Sequence, residues 1–356
     1  MNVGIISMQQ VINYGSFLQS YALKRMVEKE GVNVLHISPY SVGSQNEGDS
    51  AVKKYINELS IILKSGFGYV RHKRCWRSFK RKIIEAQLQY FKYSDIECYD
   101  MVVSGSDEVF NFCQEAQWDN YIFFGKGMKF NRICSFAGSC GSTVYEDLKD
   151  DEIKELKKLT GRFEAVSVRD ENTRVFFQKL GAAHIVGHLD PVALYDFEDE
   201  IKDFKLNYKY MIVYSYNNRF KDKEEQEEII KFAEKNKLKI IAVEGYQDWI
   251  DKYVACSPFE LLSLFKNASY IVTDTFHGTV IASKYHKKFA CYIRESNNNK
   301  LRDYVNRVDL AGHVIGNGNA LDKVLMQMAD YKKFDDIIES EKLKAERYIS
   351  EIIDKG

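Results

Sequence analysis

The chain has 356 residues, more than one hydrophobic core usually holds, so two domains are expected. Lysine plus arginine and aspartate plus glutamate each number 51, and this formal net charge of zero argues against a general nucleic-acid-binding protein. The 7 cysteines are scattered without a C-x-x-C pair, which predicts reduced thiols in a cytoplasmic protein and no metal site.

The first half of the chain alternates short apolar runs with helical patterns. Residues 3–7 predict a strand, residues 16–31 a helix with an apolar stripe, and residues 32–37 the following strand. This strand–helix–strand order is typical of a parallel sheet, so residues 1–195 are expected to form a Rossmann-like domain. Further strands of this domain are predicted at 99–104, 132–137, 165–169 and 183–188.

A second series of the same kind begins after a polar, acidic link at residues 195–209. Residues 208–333 are expected to form a second Rossmann-like domain, with helices at 221–236 and 258–266. Residues 334–356 predict a terminal helix that packs back on the first domain. The fold class is therefore α/β, with two Rossmann-like domains facing a cleft. The strands predicted for the second domain are 209–216, 238–245, 268–274 and 288–293.

Ligands of such sheets bind beyond the carboxyl ends of the strands, so polar residues at those ends are candidate site residues. Asn13, Tyr14 and Gly15 follow the first strand and precede its helix. A glycine there lets the backbone approach a ligand, and the helix N-terminus favours an anion. The alternative is a simple tight turn.

Gly105, Ser106 and Asp107 directly follow strand 99–104 and form a second candidate. The Asp107 carboxylate could accept a proton from a hydroxyl group or orient that group by hydrogen bonds. The alternative is that Ser106 or Asp107 serves as a helix N-cap.

Arg169 stands at the end of strand 165–169. Its guanidinium is a cationic fork suited to a carboxylate or a phosphate. The alternative is a structural ion pair with the neighbouring Asp170 or Glu171.

His277 falls where strand 268–274 gives way to a helix, in the sequence IVTDTFHGT. The positive end of that helix would attract an anion, and Thr275, Gly278 and Thr279 add hydroxyl groups and free amides. The alternative is a histidine hydrogen-bonded within a turn.

Residues 64–84 carry eight lysines and arginines and no acidic residue. Phe79 and Ile83 lie one turn apart, which predicts an amphipathic helix. Its basic face could contact membrane phosphates or lipid-linked substrates, and the alternative is an ordinary solvated face.

Several of these segments, taken in order, resemble the polysaccharide pyruvyl transferase family over roughly residues 3–295. The resemblance implies a fold like that of GT-B glycosyltransferases. It also implies transfer of pyruvate from phosphoenolpyruvate onto two hydroxyls of one sugar, forming a cyclic ketal without a further cofactor. The acceptor would be a surface polysaccharide, such as an exopolysaccharide or capsule, or its lipid-linked precursor. The segments that carry the resemblance are GIISMQQVINYGSFLQSYAL, VVSGSDEVFN, SVRDE, HLDPVAL and NASYIVTDTFHGTVIASKYHKKF.

The resemblance also implies roles for three residues. His277 matches the catalytic histidine of the family and would protonate the donor, while Arg169 would bind the donor's anionic groups. Asp107 matches a cleft aspartate and would serve the acceptor. The chain departs from the family at Thr275, where better-studied members carry arginine.

Two other basic residues, Lys284 and Arg294, are candidates to supply the positive charge that Thr275 lacks. The implied partners are phosphoenolpyruvate and a glycan or lipid-linked oligosaccharide, with no nucleic acid. The implied location is the cytoplasm, at the inner face of the membrane, with peripheral contact through residues 64–84. Two other functions fit the same fold, namely a glycosyltransferase that uses a nucleotide sugar and a non-catalytic glycan-binding protein.

Overall fold

The fold consists of two parallel sheets, each covered by helices. The computed structural model describes residues 1–40, 51–93, 98–113, 118–316, 319–327 and 329–354, with only the backbone for 51–69 and 296.

The first sheet has six parallel strands in the order β2-β1-β3-β4-β5-β6. Strand β1 is an inner strand of this sheet, since Val3 pairs with Val34 on one side and with Met101 on the other. Most residues of its inner strands are buried, as expected for a parallel sheet covered on both faces. The strands are β1 Asn2–Ile6, β2 Asn33–His36, β3 Tyr99–Asp107, β4 Phe130–Gly138, β5 Phe163–Val168 and β6 Ile185–Gly187.

The second sheet also has six parallel strands, in the order β12-β11-β10-β7-β8-β9. Strands β7 and β10 lie side by side at its centre and are almost entirely buried. The strands are β7 Tyr210–Ser215, β8 Lys239–Glu244, β9 Lys252–Val254, β10 Tyr270–Thr273, β11 Phe289–Tyr292 and β12 Val314–Ile315.

Eleven α-helices connect and cover these strands in the described part of the chain. They are α1 Tyr14–Glu28, α2 Ala51–Tyr90, α3 Asp150–Thr160, α4 Glu171–Leu180, α5 Pro191–Leu194, α6 Lys223–Lys235, α7 Pro258–Asn267, α8 Phe276–Lys284, α9 Asn298–Arg307, α10 Leu321–Met326 and α11 Tyr331–Asp354. Short 3-10 turns occupy Asn120–Phe124, Tyr145–Asp147, Glu295–Asn297 and Ala311–His313.

Local sequence explains where several helices begin. At α7, the Ser257 hydroxyl accepts the Glu260 amide and the Glu260 carboxylate accepts the Ser257 amide, a capping box with Pro258 in the first turn. At α2, the basic segment is helical, and Phe79 and Ile83 are buried in the core, so the predicted amphipathic helix is confirmed. Aromatic packing holds the buried face of α2, because the ring centres of Tyr14 and Phe79 are 5.0 Å apart.

Two contacts tie distant parts of the chain to the first sheet. The terminal helix α11 reaches it through the Tyr348 hydroxyl, which donates to the Ser135 carbonyl oxygen at 2.8 Å. The Tyr14 hydroxyl of α1 donates to the Cys256 carbonyl oxygen at 2.7 Å, joining the first helix to the second domain. Across the described ranges, none of the helices combines the length and apolar character that crossing a bilayer requires.

Candidate active site

A cavity of about 120 Å³ lies between the two domains. Its walls are built by residues that follow strands of the first sheet and by residues of the second domain near β7, α8 and α9. This is where ligands of open α/β sheets bind, beyond the carboxyl ends of the strands. The lining residues are Met8, Val11, Asn13, Ser16, Asp107, Glu108, Tyr216, Phe276, His277 and Lys300.

His277 lies in the first turn of α8, with its side chain 9% exposed. The Nδ1 edge of the imidazole packs so closely on Gly15 that a Cβ there would lie 2.0 Å from Nδ1. On the other side, Nε2 is 3.5 Å from Oδ2 of Asp190 and has no hydrogen-bond partner among the described residues. The imidazole is thus held between the backbone of one domain and a carboxylate.

Asp190 is fully buried and caps the short helix α5. Its Oδ1 accepts the Val192 amide at 2.9 Å, and its Oδ2 accepts Nη1 of Arg169 at 2.9 Å and faces His277. Burial would raise the pKa of Asp190, but His277, Arg169 and the Val192 amide lower it to about 2. The carboxylate is therefore ionised at neutral pH and provides a buried negative charge beside the imidazole.

Arg169 is also buried, with its side chain 3% exposed. Its Nη1 lies 2.9 Å from Asp190 Oδ2 and 3.3 Å from Asp107 Oδ1, and its guanidinium carbon is 4.4 Å from the ring centre of Phe276. Burial would lower the pKa of Arg169, but the surrounding carboxylates, Asp107 first, raise it above its ordinary value. Nε and Nη2 are buried without a hydrogen-bond partner among the described residues.

Asp107 is the last residue of β3 and has a φ of +75°. Aspartate enters this left-handed region more readily than most residues, and the conformation aims the carboxylate at the cavity wall. Its Oδ1 accepts Arg169, and its Oδ2 accepts the Ser16 hydroxyl at 3.4 Å. The side chain remains 14% exposed, so it can meet a ligand.

Lys300, in the first turns of α9, brings a second-domain cation to the same cavity. Its Nζ forms an ion pair with Oε1 of Glu108, and the Asn111 side-chain amide donates to the other oxygen at 2.8 Å. Burial would raise the pKa of Glu108, but Lys300, followed by Arg169 and Asn111, lowers it overall. Among the described residues that line the cavity, Lys300 is the one lysine or arginine.

The family model described as polysaccharide pyruvyl transferase matches residues 13–296. The chain belongs to the polysaccharide pyruvyl transferase family. This confirms the resemblance drawn from the ordered motifs. No protein with a curated description matches the sequence.

Solved structures similar to this member of the pyruvyl transferase family include two sugar-active proteins. The glycotransferase of kitacinnamycin is 10% identical, with a TM-score of 0.51, and the alignment covers 99% of this chain and 98% of that one. The UDP-GlcNAc 2-epimerase from Methanocaldococcus jannaschii is 13% identical over 100% of both chains, with a TM-score of 0.47. At such low identity, likeness bears on the fold alone, and the GT-B-like arrangement of two parallel-sheet domains is confirmed.

The segment NYGS contributes only some of its residues to the interdomain cavity. Asn13 lines it and caps α1 by accepting the Ser16 amide, and Gly15 contacts the imidazole. Tyr14 is fully buried and bonds to the second domain instead. Gly105 and Ser106 also lie away from the cavity: a Cβ on Gly105 would lie 2.2 Å from the Phe136 carbonyl oxygen, and the buried Ser106 hydroxyl donates to Gln19.

Thr275, Gly278 and Thr279 are used to begin helix α8 rather than to line the cavity. The Thr275 hydroxyl caps the helix by accepting the Gly278 amide at 3.0 Å. The Thr279 hydroxyl donates to the Thr275 carbonyl oxygen, and Gly278 is packed so tightly that a Cβ would lie 2.2 Å from the Thr273 hydroxyl oxygen. Thr275, where the resemblance leads one to expect arginine, is therefore a capping residue in this chain.

Neither Lys284 nor Arg294 lines the cavity. The Lys284 ammonium lies 3.4 Å from the Ala193 carbonyl oxygen, near the connection between the domains. Arg294 makes a two-pronged ion pair with Glu225, at 2.7 and 2.6 Å, and contacts Asp274. The sequence had suggested Lys284 or Arg294 as the source of positive charge in the cavity. Among the described lining residues, that charge comes from Lys300.

Sequence reasoning missed Asp190, Glu108, Tyr216 and Lys300. A signal for Asp190 was present, because an aspartate directly before proline is a typical helix start. Lys300 ends the polar run SNNNK, which carries no such signal. In the described part of the chain, no three His, Cys, Asp or Glu side chains converge as metal ligands would.

Replacing Gly15 by alanine tests how the imidazole is held. The new Cβ would lie 2.0 Å from Nδ1 of His277, so we expect the ring to leave its position. The helix itself should tolerate the change, because alanine is favoured over glycine by about 1 kcal/mol in helices. A crystal structure of the variant would show the displaced ring.

The matched control is Gly161→Ala, whose Cβ would meet only carbonyl oxygens at 3.6 Å. That variant should leave His277 in place. An imidazole that keeps its position in Gly15→Ala would contradict the close packing of the two residues.

Replacing Asp190 by asparagine tests the buried charge through the pH dependence of stability. A pKa lowered from 3.8 to about 2 means that ionised Asp190 stabilises the fold above about pH 5. This contribution, on the order of 2 kcal/mol, is lost as the pH falls through 3.8 toward 2. Denaturant unfolding of both proteins should therefore show a stability difference at pH 7 that narrows by roughly half near pH 3. A difference that stays constant over this range would contradict the ionised carboxylate.

Proposed function

We propose that this protein transfers pyruvate from phosphoenolpyruvate onto two hydroxyls of one sugar, forming a cyclic ketal and releasing phosphate. The observation that carries the proposal is the imidazole of His277, which is fixed beside a buried carboxylate at an interdomain cavity. Membership in a transferase family supports the proposal, in which the acceptor is a glycan of a surface polysaccharide or of its lipid-linked precursor.

The first step requires a proton donor. Protonation of the methylene carbon of phosphoenolpyruvate leaves an oxocarbenium-like centre on the neighbouring carbon, and His277 is the donor in this proposal. The Asp190 carboxylate, 3.5 Å from Nε2, balances the positive charge of the imidazolium before the transfer. The arrangement is that of a histidine oriented by a buried carboxylate, which fixes the ring for proton transfer.

The second step requires a group that receives the acceptor's proton. A sugar hydroxyl adds to the oxocarbenium carbon while its proton passes to Asp107, which lines the same cavity. The carbon–oxygen bond to phosphate then breaks as the departing phosphate takes the proton held by Asp107. A second hydroxyl of the sugar adds to the same carbon and closes the ketal, and its proton returns to His277. We assign to Arg169 the positioning of Asp107 and Asp190, which both accept its Nη1.

Replacing His277 by alanine should abolish this reaction. Loss of a general acid lowers rates by roughly 100- to 10,000-fold, so ketal formation should become undetectable. The measurement is phosphate release together with the NMR methyl signal of the ketal, using a lipid-linked glycan fraction as acceptor. The control is His286→Ala, which removes an exposed histidine paired with Asp335 and should leave turnover unchanged.

Near-normal turnover by His277→Ala would overturn the assignment of the acid. Transfer from a nucleotide sugar, with no phosphate release from phosphoenolpyruvate, would instead select a glycosyltransferase. Glycan binding without either reaction would select a non-catalytic protein.

We also propose that α2 contacts the anionic membrane surface that carries a lipid-linked acceptor. The described part of this helix exposes Val70 and Trp76, 54% and 37% exposed, next to exposed Arg74, Arg77 and Arg81. An aromatic residue among cations is typical of helices that lie at membrane interfaces.

Reversing three charges tests this contact. Arg74, Arg77 and Arg81 should each contribute about 1 kcal/mol of attraction to anionic lipid, so changing all three to glutamate should weaken vesicle binding at least about 100-fold. Sedimentation with phosphatidylglycerol vesicles measures it. The same reversal at the exposed lysines 154, 157 and 158 of α3 should leave binding unchanged. Equal binding by wild type and the arginine variant would refute the contact.

A further inference from the structure

The ion pair between Lys300 and Glu108 spans the two domains at the edge of the cavity. Lys300 comes from α9 of the second domain, and Glu108 directly follows β3 of the first. Their side chains are 16% and 9% exposed, so the pair is shielded from bulk water while both residues still line the cavity. A ligand that fills the cavity therefore lies beside this pair.

The charges of the cavity wall are poorly matched to an anionic ligand as they stand. Two carboxylates, Asp107 and Glu108, line it, against one permanent cation, Lys300. Arg169 is not part of this wall, and its Nη1 is engaged by Asp107 and Asp190. A substrate that carries a phosphate and a carboxylate would therefore be repelled by this wall unless its one lysine turned toward the substrate.

Thr275, the helix cap two residues before His277, is neutral and adds no positive charge here. Lys284 and Arg294 are held elsewhere, by Ala193 and by Glu225. Within the described cavity wall, Lys300 is thus the residue from which a compensating charge can come.

We infer that Lys300 binds an anionic group of the donor, and that Glu108 holds this lysine until the donor displaces it. The inference rests on the proposed function and names the residue that recognises the donor. Glu108 then acts as an internal competitor, so that only a ligand with sufficient negative charge takes its place.

The surroundings allow such an exchange. A lysine has a flexible four-carbon stem and three rotatable donors, so its ammonium can turn from one acceptor to another. Glu108 keeps a partner after the exchange, since the Asn111 amide donates to its Oε2 at 2.8 Å. The carboxylate is therefore not left unpaired when the lysine moves.

Two substitutions with opposite expected effects test the inference. Lys300→Met should weaken phosphoenolpyruvate binding roughly 10- to 100-fold, because a charge-assisted contact is lost, whereas Lys300→Arg should retain most of it. Glu108→Gln keeps the shape and the Asn111 contact but removes the competitor, so it should tighten binding. The measurement is calorimetric titration of each purified protein with phosphoenolpyruvate, and Lys333→Met, at an exposed surface pair with Asp309, is the control.

The outcomes separate this inference from the function on which it rests. If the wild type binds phosphoenolpyruvate and Lys300→Met binds it with the same affinity, the role of Lys300 is overturned. That result would not contradict pyruvyl transfer. Weaker binding in both Lys300→Met and Glu108→Gln would identify the pair as a structural link and would also overturn it. No binding by the folded wild-type protein would overturn both the inference and the proposed donor.

Discussion

The buried carboxylate of Asp190 is the interaction on which the site depends. A charge in a protein interior is costly unless it is paired and hydrogen-bonded, and Asp190 meets this condition through Arg169 and the Val192 amide. Its remaining face is turned to His277 in the other domain. One residue therefore fixes the imidazole, anchors the guanidinium and joins the two sheets at the level of the cavity.

The second consequence of this arrangement is that neither domain holds a complete site. Asp107 and Glu108 come from the end of β3, while His277 and Lys300 come from helices of the second domain. At the start of α8, Thr275 serves as the cap and brings no positive charge to the cavity. Positive charge thus reaches the cavity from α9, across the domain boundary.

Sequence patterns predicted the two sheets well because period and composition are local properties. Predicted strands such as 99–104 and 209–216 fall on β3 and β7, while β9 and β12, three and two residues long, were not predicted. The rule that ligands bind beyond the carboxyl ends of parallel strands led to Asp107 and His277. It also selected Gly105, Ser106 and Thr279, which the structure buries, since position along a strand does not tell which way a side chain turns. Lys300 and Glu108, 192 residues apart, meet only through the tertiary fold.

The most direct measurement is a crystal structure of the wild-type protein soaked with phosphoenolpyruvate. Proton transfer from His277 requires the methylene carbon to lie within about 3.5 Å of a ring nitrogen, with an anionic group of the donor on Lys300. We expect density for the donor in this position inside the interdomain cavity. Donor density away from His277, or a cavity that stays without donor at saturating concentration, would contradict the role of His277 as the acid of pyruvyl transfer.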